Sequence, residues 1–336
     1  VTVSPTQRRL RHADIQRLVQ ASLGHGTVVA DCAPLSGGGF AAVWVARLGD
    51  GRSVVVKVGP PPEVPLLRYE RDLIGAEARG YRLIAEHAPE VPVPLVLHHG
   101  TDRGVLDSDW LVTTALPGRT LSRVRQEEPE VDDYLVRVDA GATLAAIHRI
   151  TGPAFGYDGG RTSGPDWPAT FADIVRDLLA DATDWGVLLP VEADAIENAL
   201  DRHAGVLADV DRAALVYFDG WDGNLLVQPG PGGRPRLSGL VDAERFLFGD
   251  PLMDLVTPVM FGRIEREPEH PFLQGYGPVA FDVRARRRLA LYRMHLYLLM
   301  LVEMPSRGMS EQTDPGRYHR LCEKLDEWVG YLQLGA

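Results

Sequence analysis

The spacing of apolar residues changes at Pro117-Gly118, and this change constrains the fold of the 336-residue chain more than any other feature. Upstream, one helix is followed by strand patterns. Asp14 can cap a helix whose face is Ile15, Leu18, Val19, Ser22 and Leu23, ended by Gly24. Residues 27–35 and 40–48 and the valine-rich Ser53–Val58 read as strands. Ser36-Gly37-Gly38-Gly39 breaks the first from the second, and Gly49-Asp50-Gly51 is a hairpin signal. The three predict an antiparallel meander. Gly59-Pro60-Pro61-Pro62 stops the sheet, and Pro65 suits the first turn of a helix reaching His87. Residues 95–99 and 110–116 are extended. Downstream the spacing is helical over 131–150, where Leu135, Val138, Ala142 and Ala145 share a face. A Gly/Pro-rich connection over 152–168 precedes helices at 169–184 and 191–210. Short β runs follow at 215–218, 225–228 and 237–241, then helices at 282–304 and 314–334. The expectation is an α+β fold with an antiparallel β-sheet N-lobe over 1–116 and a mainly helical C-lobe over 117–336.

Charge narrows the partners. The net charge is −11, against a nucleic-acid backbone as main partner, because phosphate binding needs clustered cations. The excess is uneven: residues 1–116 hold 12 basic and 12 acidic side chains, residues 117–336 hold 23 and 34. Only Lys57 and Lys324 of the 35 basic residues are lysines. The longest strongly apolar run, 296–302, is far short of the ~20 residues of a membrane span, so no membrane partner is expected. Val1-Thr2-Val3-Ser4-Pro5-Thr6 lacks a signal-peptide pattern, and Cys32 and Cys322 form neither a metal-spaced cluster nor a disulfide framework. A cytoplasmic protein is the expectation.

Four features carry chemistry. Gly37, Gly38 and Gly39 can bring backbone N–H groups close to phosphate oxygens; alone they also read as a flexible turn. No Gly-Lys-Ser/Thr follows, so this is not a Walker A loop, and a following hairpin is the layout of a kinase-type phosphate loop. A helix directly after Gly39 would instead favour a dinucleotide oxidoreductase. Lys57 interrupts an apolar strand, where an ammonium needs an anionic partner, unless it is an edge lysine pointing at water. Glu77 falls on the apolar stripe of Leu66, Leu73, Tyr81 and Ile84 and is its expected partner. Glu70, one heptad earlier, is the runner-up, and a stripe-edge carboxylate reaching solvent is the plainer alternative. Finally, two β runs flank a loop with Asp219 and Asn224, and the next β run ends in Asp242. Together they supply the carboxylate beside an attacking hydroxyl and the oxygen ligands that phosphoryl transfer with Mg²⁺ requires. A calcium loop over 219–224 would place Trp221 where an oxygen ligand belongs.

With these motifs the chain resembles the aminoglycoside phosphotransferases and their antibiotic- and small-molecule-kinase relatives, of bilobal protein-kinase-like fold. The resemblance runs over roughly 12–330. It rests on Leu35-Ser36-Gly37-Gly38-Gly39-Phe40, Val55-Val56-Lys57-Val58, Glu77-Ala78-Arg79, Thr143-Leu144-Ala145-Ala146-Ile147-His148, the stretch from Asp219 through Asn224, Val241-Asp242-Ala243-Glu244, and Gly249-Asp250-Pro251-Leu252-Met253-Asp254-Leu255. It implies ATP or GTP and Mg²⁺ as cofactors, with Asp219 as catalytic base and Asn224 and Asp242 as metal ligands. It further implies Lys57 and Glu77 at the nucleotide phosphates, adenine against the backbone near Thr114 and Leu116, and a structural Asp254. The sequence departs from the family at Tyr217-Phe218, where His-Gly is usual, at Gly220, where many members have Leu and which would loosen the loop, and at Ala243-Glu244.

The acid excess after 116 suggests a cationic acceptor, such as an aminoglycoside or basic peptide. Asp173, Asp177, Asp181 and Asp184 form an acidic helical stripe, which alone reads as a solvated face. Choline-like, amino-alcohol or macrolide acceptors are alternatives. So is a nucleotide-binding regulator without catalysis.

Overall fold

The computed structural model describes residues 4–35 and 37–334; the first three residues and Ser36 of the glycine-rich turn lie outside them. In chain order the elements are α1 (His12–Leu23), β1 (Val29–Pro34), β2 (Ala42–Leu48), β3 (Ser53–Val58), α2 (Leu73–His87), β4 (Val96–Gly100), β5 (Trp110–Thr114), β6 (Arg119–Thr120), α3 (Leu121–Glu127) and α4 (Tyr134–Ile147). They continue with β7 (Phe155–Gly156), β8 (Ser163–Gly164), α5 (Trp167–Asp184), α6 (Ala193–Leu207), β9 (Ala214–Val216), β10 (Leu225–Pro229), β11 (Pro235–Leu240), β12 (Leu247–Gly249), α7 (Pro271–Tyr276), α8 (Val283–Val302) and α9 (Pro315–Gln333).

The chain divides into two units. The first comprises Val1–Leu66, Asp72–Asp133 and Asp222–Arg245. The expected meander is present there, and β5 and β4 extend it to an antiparallel sheet of order β1-β2-β3-β5-β4. The alternation of β3 sets Val54, Val56 and Val58 into a core with Ile15, Leu18 and Val19 of α1. A strand, not a helix, follows Gly39, which removes the dinucleotide reading. A second sheet, β11-β10-β6, also belongs to this unit, as do residues 117–133.

Two helix starts differ from expectation. Asp14 lies inside α1 at its third position, where its carboxylate accepts from the Arg11 N–H at 2.9 Å and so caps from within. The helix expected from Pro65 begins at Leu73. A 3₁₀ turn at Arg68–Glu70 precedes it, and Asp72 is left-handed at φ 61°, which interrupts the helical path. Glu70 and Glu77 are therefore not on one helix.

The second unit comprises Leu67–Arg71, Tyr134–Trp221 and Phe246–Ala336. A short sheet of order β8-β7-β12-β9 threads its helices. The helix α8 carries the longest apolar run and is buried on all sides from Leu289 to Val302, as a helix apolar around most of its circumference must be. Trp167, Phe171 and Tyr292 pack there, with the Trp167 indole N–H donating to the Tyr292 hydroxyl at 2.9 Å. Among the described residues no helix is long and apolar enough to cross a membrane.

Candidate active site

In the first unit, one cation is set among three carboxyl groups. Lys57 lies on β3, a central strand, so the edge-strand reading does not hold. Because Val56 and Val58 face the core, Lys57 points to the opposite face of the sheet. Its ammonium donates to Glu77 Oε1 at 2.6 Å and to Asp242 Oδ1. Glu77 on α2 is fully buried, and Tyr81, one turn later, receives the Asp242 backbone N–H on its hydroxyl at 2.9 Å. Asp242 follows β11 in a left-handed conformation, φ 69°. Asn224, 5% exposed, precedes β10, and its carbonyl accepts the Val241 N–H at 3.0 Å, so the β10/β11 ladder sets Asn224 beside Asp242. Glu244 completes the group: ligand oxygens of Glu77, Asp242 and Glu244 all lie within 4.8 Å of one another.

The electrostatics follow from this crowding. Burial alone would lower the Lys57 ammonium, but Asp242, Glu77 and Glu244 outweigh it and hold its pKa well above the ordinary lysine value. Burial raises Glu77, opposed by Lys57 and reinforced by Asp242. Glu244 is pushed up to about 8, by burial first and by Asp242 next. With its pKa at about 8 Glu244 is mostly protonated at neutral pH, and Asp242, Glu77, Glu244 and the nearby Asn224 offer only hard oxygen donors. Such a set fits Mg²⁺.

The other nucleotide-side candidates are in the same unit. Gly37, at φ 117°, Gly38 and Gly39 form the turn between β1 and β2. Thr114 ends β5, and its hydroxyl accepts the Leu95 N–H at 2.9 Å. The Thr114 and Ala115 amides bond to Leu95 and Ser53, which makes Leu116 the next amide along.

Asp219 lies in the second unit, half-buried just past β9. The two residues before it are clamped by Asp254: Oδ2 accepts the Tyr217 N–H at 2.7 Å, and Oδ1 accepts the Phe218 N–H at 2.6 Å. His148 Nε2 lies 2.8 Å from Asp254 Oδ2, and its Nδ1 lies 2.7 Å from the Tyr276 hydroxyl. Phe218 is left-handed, φ 58°, at the position where the resembling family usually has glycine. That backbone costs a phenylalanine about 1–2 kcal/mol. The clamp and the fully buried ring, 5.2 Å from His295, oppose the cost. Gly220 is also buried, and a Cβ there would lie 3.3 Å from Leu144, so glycine here permits a close approach to that side chain. Asp254→Ala would leave two buried amides unpaired and should cost roughly 2–4 kcal/mol in chemical denaturation. Asp254→Asn, which keeps one acceptor oxygen, should cost less.

Two acidic features resolve into internal pairs. Glu70 is fully buried and pairs with Arg307, 237 residues away, rather than with Lys57. In the α5 stripe, Asp181 and Asp184 pair with Arg68 at 2.5 and 2.8 Å and Asp173 with Arg176 at 3.0 Å, while Asp177 accepts the Thr162 hydroxyl. A cavity of about 370 Å³, lined by Arg68, Tyr69, Arg161, Asp177 and Asp181 among others, opens beside it. The stripe is thus no row of free carboxylates. Sequence reasoning placed Tyr81 on the Glu77 stripe and Glu244 in a motif but gave neither a role. His148 stood in a motif with nothing to name Asp254 or Tyr276 as its partners.

A sequence profile of the phosphotransferase enzyme family matches residues 31–292. No curated protein matches the sequence significantly. Among solved structures, a protein assigned as a fructosamine-3-kinase from Thermobifida fusca YX-ER1 is similar over 94% of this chain and 98% of its own, with 21% identity and a TM-score of 0.66. A thermostable mutant of the aminoglycoside phosphotransferase APH(4)-Ia, in ternary complex with AMP-PNP and hygromycin B, covers 96% of this chain and 100% of its own at 18% identity and a TM-score of 0.63. The macrolide 2'-phosphotransferase MphH from Brachybacterium faecium covers 93% and 97% at 16% identity and a TM-score of 0.55. At these identities the likeness is one of fold, and that fold is protein-kinase-like.

Proposed function

The chain belongs to the phosphotransferase enzyme family, and from that premise we propose that it is an ATP- or GTP-dependent kinase that phosphorylates a hydroxyl of a small molecule. The observation that carries this reading is the buried cluster of Lys57, Glu77 and Asp242 with Asn224 alongside, in a chain that also presents Asp219 on a clamped loop. Asp219 is the base that orients the acceptor hydroxyl and takes its proton. Lys57, fixed by Glu77, holds the nucleotide phosphates, and the Gly37-Gly38-Gly39 turn covers them. Asn224 and Asp242 would hold Mg²⁺, which when bound offsets the negative charge of the phosphates. The adenine position is the backbone at Thr114 and Leu116. In this reading the first unit binds nucleotide, the role expected of residues 1–116, with the segments at 117–133 and 222–245 added and 67–71 removed.

For the acceptor we favour a cationic, amine-bearing small molecule. The support is the charge of the second unit, whose three segments together hold 19 basic and 27 acidic side chains, with the excess concentrated in residues 134–221. Charge of one sign raises the local concentration of the opposite one. The paired stripe on α5 adds nothing to this argument. The related folds include kinases of an aminoglycoside, of a macrolide and of fructosamine by assignment, which sets the panel for the test. Coupled ADP release should rise with at least one member of a panel of aminoglycosides, basic peptides, sugar amines, amino alcohols and macrolides, and a cationic member should give the highest kcat/KM. Turnover confined to uncharged acceptors would reject the charge argument.

A further inference from the structure

The glycine-rich turn is held from outside, by the residues that precede α1. Thr6 is fully buried, and its hydroxyl donates to the Gly39 carbonyl at 3.0 Å. The Gln7 carboxamide donates to the Gly38 carbonyl at 2.8 Å and to the Ala41 carbonyl at 3.2 Å. The segment is itself anchored. Ser4 Oγ lies 2.9 Å from the Thr6 hydroxyl, and Arg8 bonds to Ser108 at 2.8 Å and to Asp107 at 2.6 Å.

Three physical points give this strap a consequence. Glycines lose more conformational freedom on ordering than other residues, and three in a row have no side chains with which to order themselves. In a trans peptide the C=O and the next N–H point to opposite sides, so capture of the Gly38 carbonyl by Gln7 turns the Gly39 N–H away from Gln7. The turn also lies by the right face of the sheet. A Cβ on Gly38 would sit 3.9 Å from Val43 Cγ2, and Val43 is paired with Lys57 across β2 and β3, where opposed side chains share a face.

We propose that Thr6 and Gln7 are positioning residues for nucleotide: they fix the 37–41 turn before ligand arrives, so that its amides meet the phosphates without an ordering cost. This rests on reading the turn as the phosphate loop and extends it to a segment outside any of the motifs. The test is AMP-PNP binding with magnesium by calorimetry, combined with hydrogen exchange of the ligand-free chain. Gln7→Ala and Thr6→Val should speed amide exchange across 37–42 and weaken AMP-PNP binding by roughly fivefold per hydrogen bond removed. KM for nucleotide should rise in step, with kcat nearly unchanged. Thr6→Ser, which keeps the hydroxyl, should behave as wild type, separating the hydrogen bond from general destabilisation. Unchanged exchange, or faster exchange with unchanged AMP-PNP affinity, would overturn the positioning role alone. Failure of the wild-type chain to bind AMP-PNP would overturn the proposed function and the positioning role together.

Discussion

Asp219→Ala should lower phosphoryl transfer by about 10²–10⁴-fold while leaving nucleotide affinity close to wild type. The range is what a positioned acid or base contributes to proton transfer in the transition state. The separation of the two effects follows from the proposed roles: Asp219 acts on the acceptor hydroxyl, whereas Lys57, held by Glu77 and Asp242, acts on the nucleotide phosphates. The backbone clamp on this loop, Asp254 accepting the amides of Tyr217 and Phe218, is left in place by the substitution. Asp219→Asn should be nearly as inactive, since it keeps shape and hydrogen bonding but cannot accept the proton at neutral pH. Single-turnover kinetics with saturating nucleotide would separate this loss from a binding defect.

Lys57→Ala should be costly twice over. Removing the ammonium leaves Glu77 fully buried beside the carboxyl groups of Asp242 and Glu244, with the Tyr81 hydroxyl as its remaining hydrogen-bond partner and no cation of the cluster to offset it. Breaking a buried pair from one side costs about 3–5 kcal/mol, so the urea midpoint should fall markedly. Activity should be lost as well, because nothing else among these residues supplies a positive charge to the phosphates. The two losses can be told apart. Lys57→Ala/Glu77→Gln removes the orphaned charge and should recover much of the stability, yet remain inactive. If the double variant recovered transfer along with stability, Lys57 would be a structural cation with no part in the chemistry. Glu77→Gln alone should weaken nucleotide binding more than it weakens the fold, since Lys57 keeps Asp242 as a partner.

The fold was readable where a period was long enough to count. The meander, the helix α5 and the long apolar stretch of α8 all announced themselves through spacing, and so did Lys57, by interrupting a run of valines. Strands of two residues, such as Phe155–Gly156 and Ser163–Gly164, have no period to read. The break before α2 depends on one left-handed aspartate, Asp72, a conformation that aspartate tolerates but does not advertise. The acidic stripe misled for a different reason: Arg68 reaches Asp181 across 113 residues, and no local pattern reports a partner so distant. Glu70 is the same case, since Arg307 claims it across 237 residues. Phe218 was legible as a departure from glycine. Only its φ of 58° explains why glycine is usual there and what Asp254 has to hold in place.

The central claim is transfer of a terminal phosphoryl group to a small-molecule hydroxyl with Asp219 as base. Its most direct measurement follows isotope from γ-labelled ATP into an acceptor, with wild type and Asp219→Ala assayed side by side on the panel. Label should enter at least one amine-bearing acceptor through a phosphate ester with wild type, and fall at least about a hundredfold with the variant. Equal labelling by the two proteins would contradict the role of Asp219, and bound nucleotide with no labelled acceptor anywhere in the panel would contradict the kinase assignment itself.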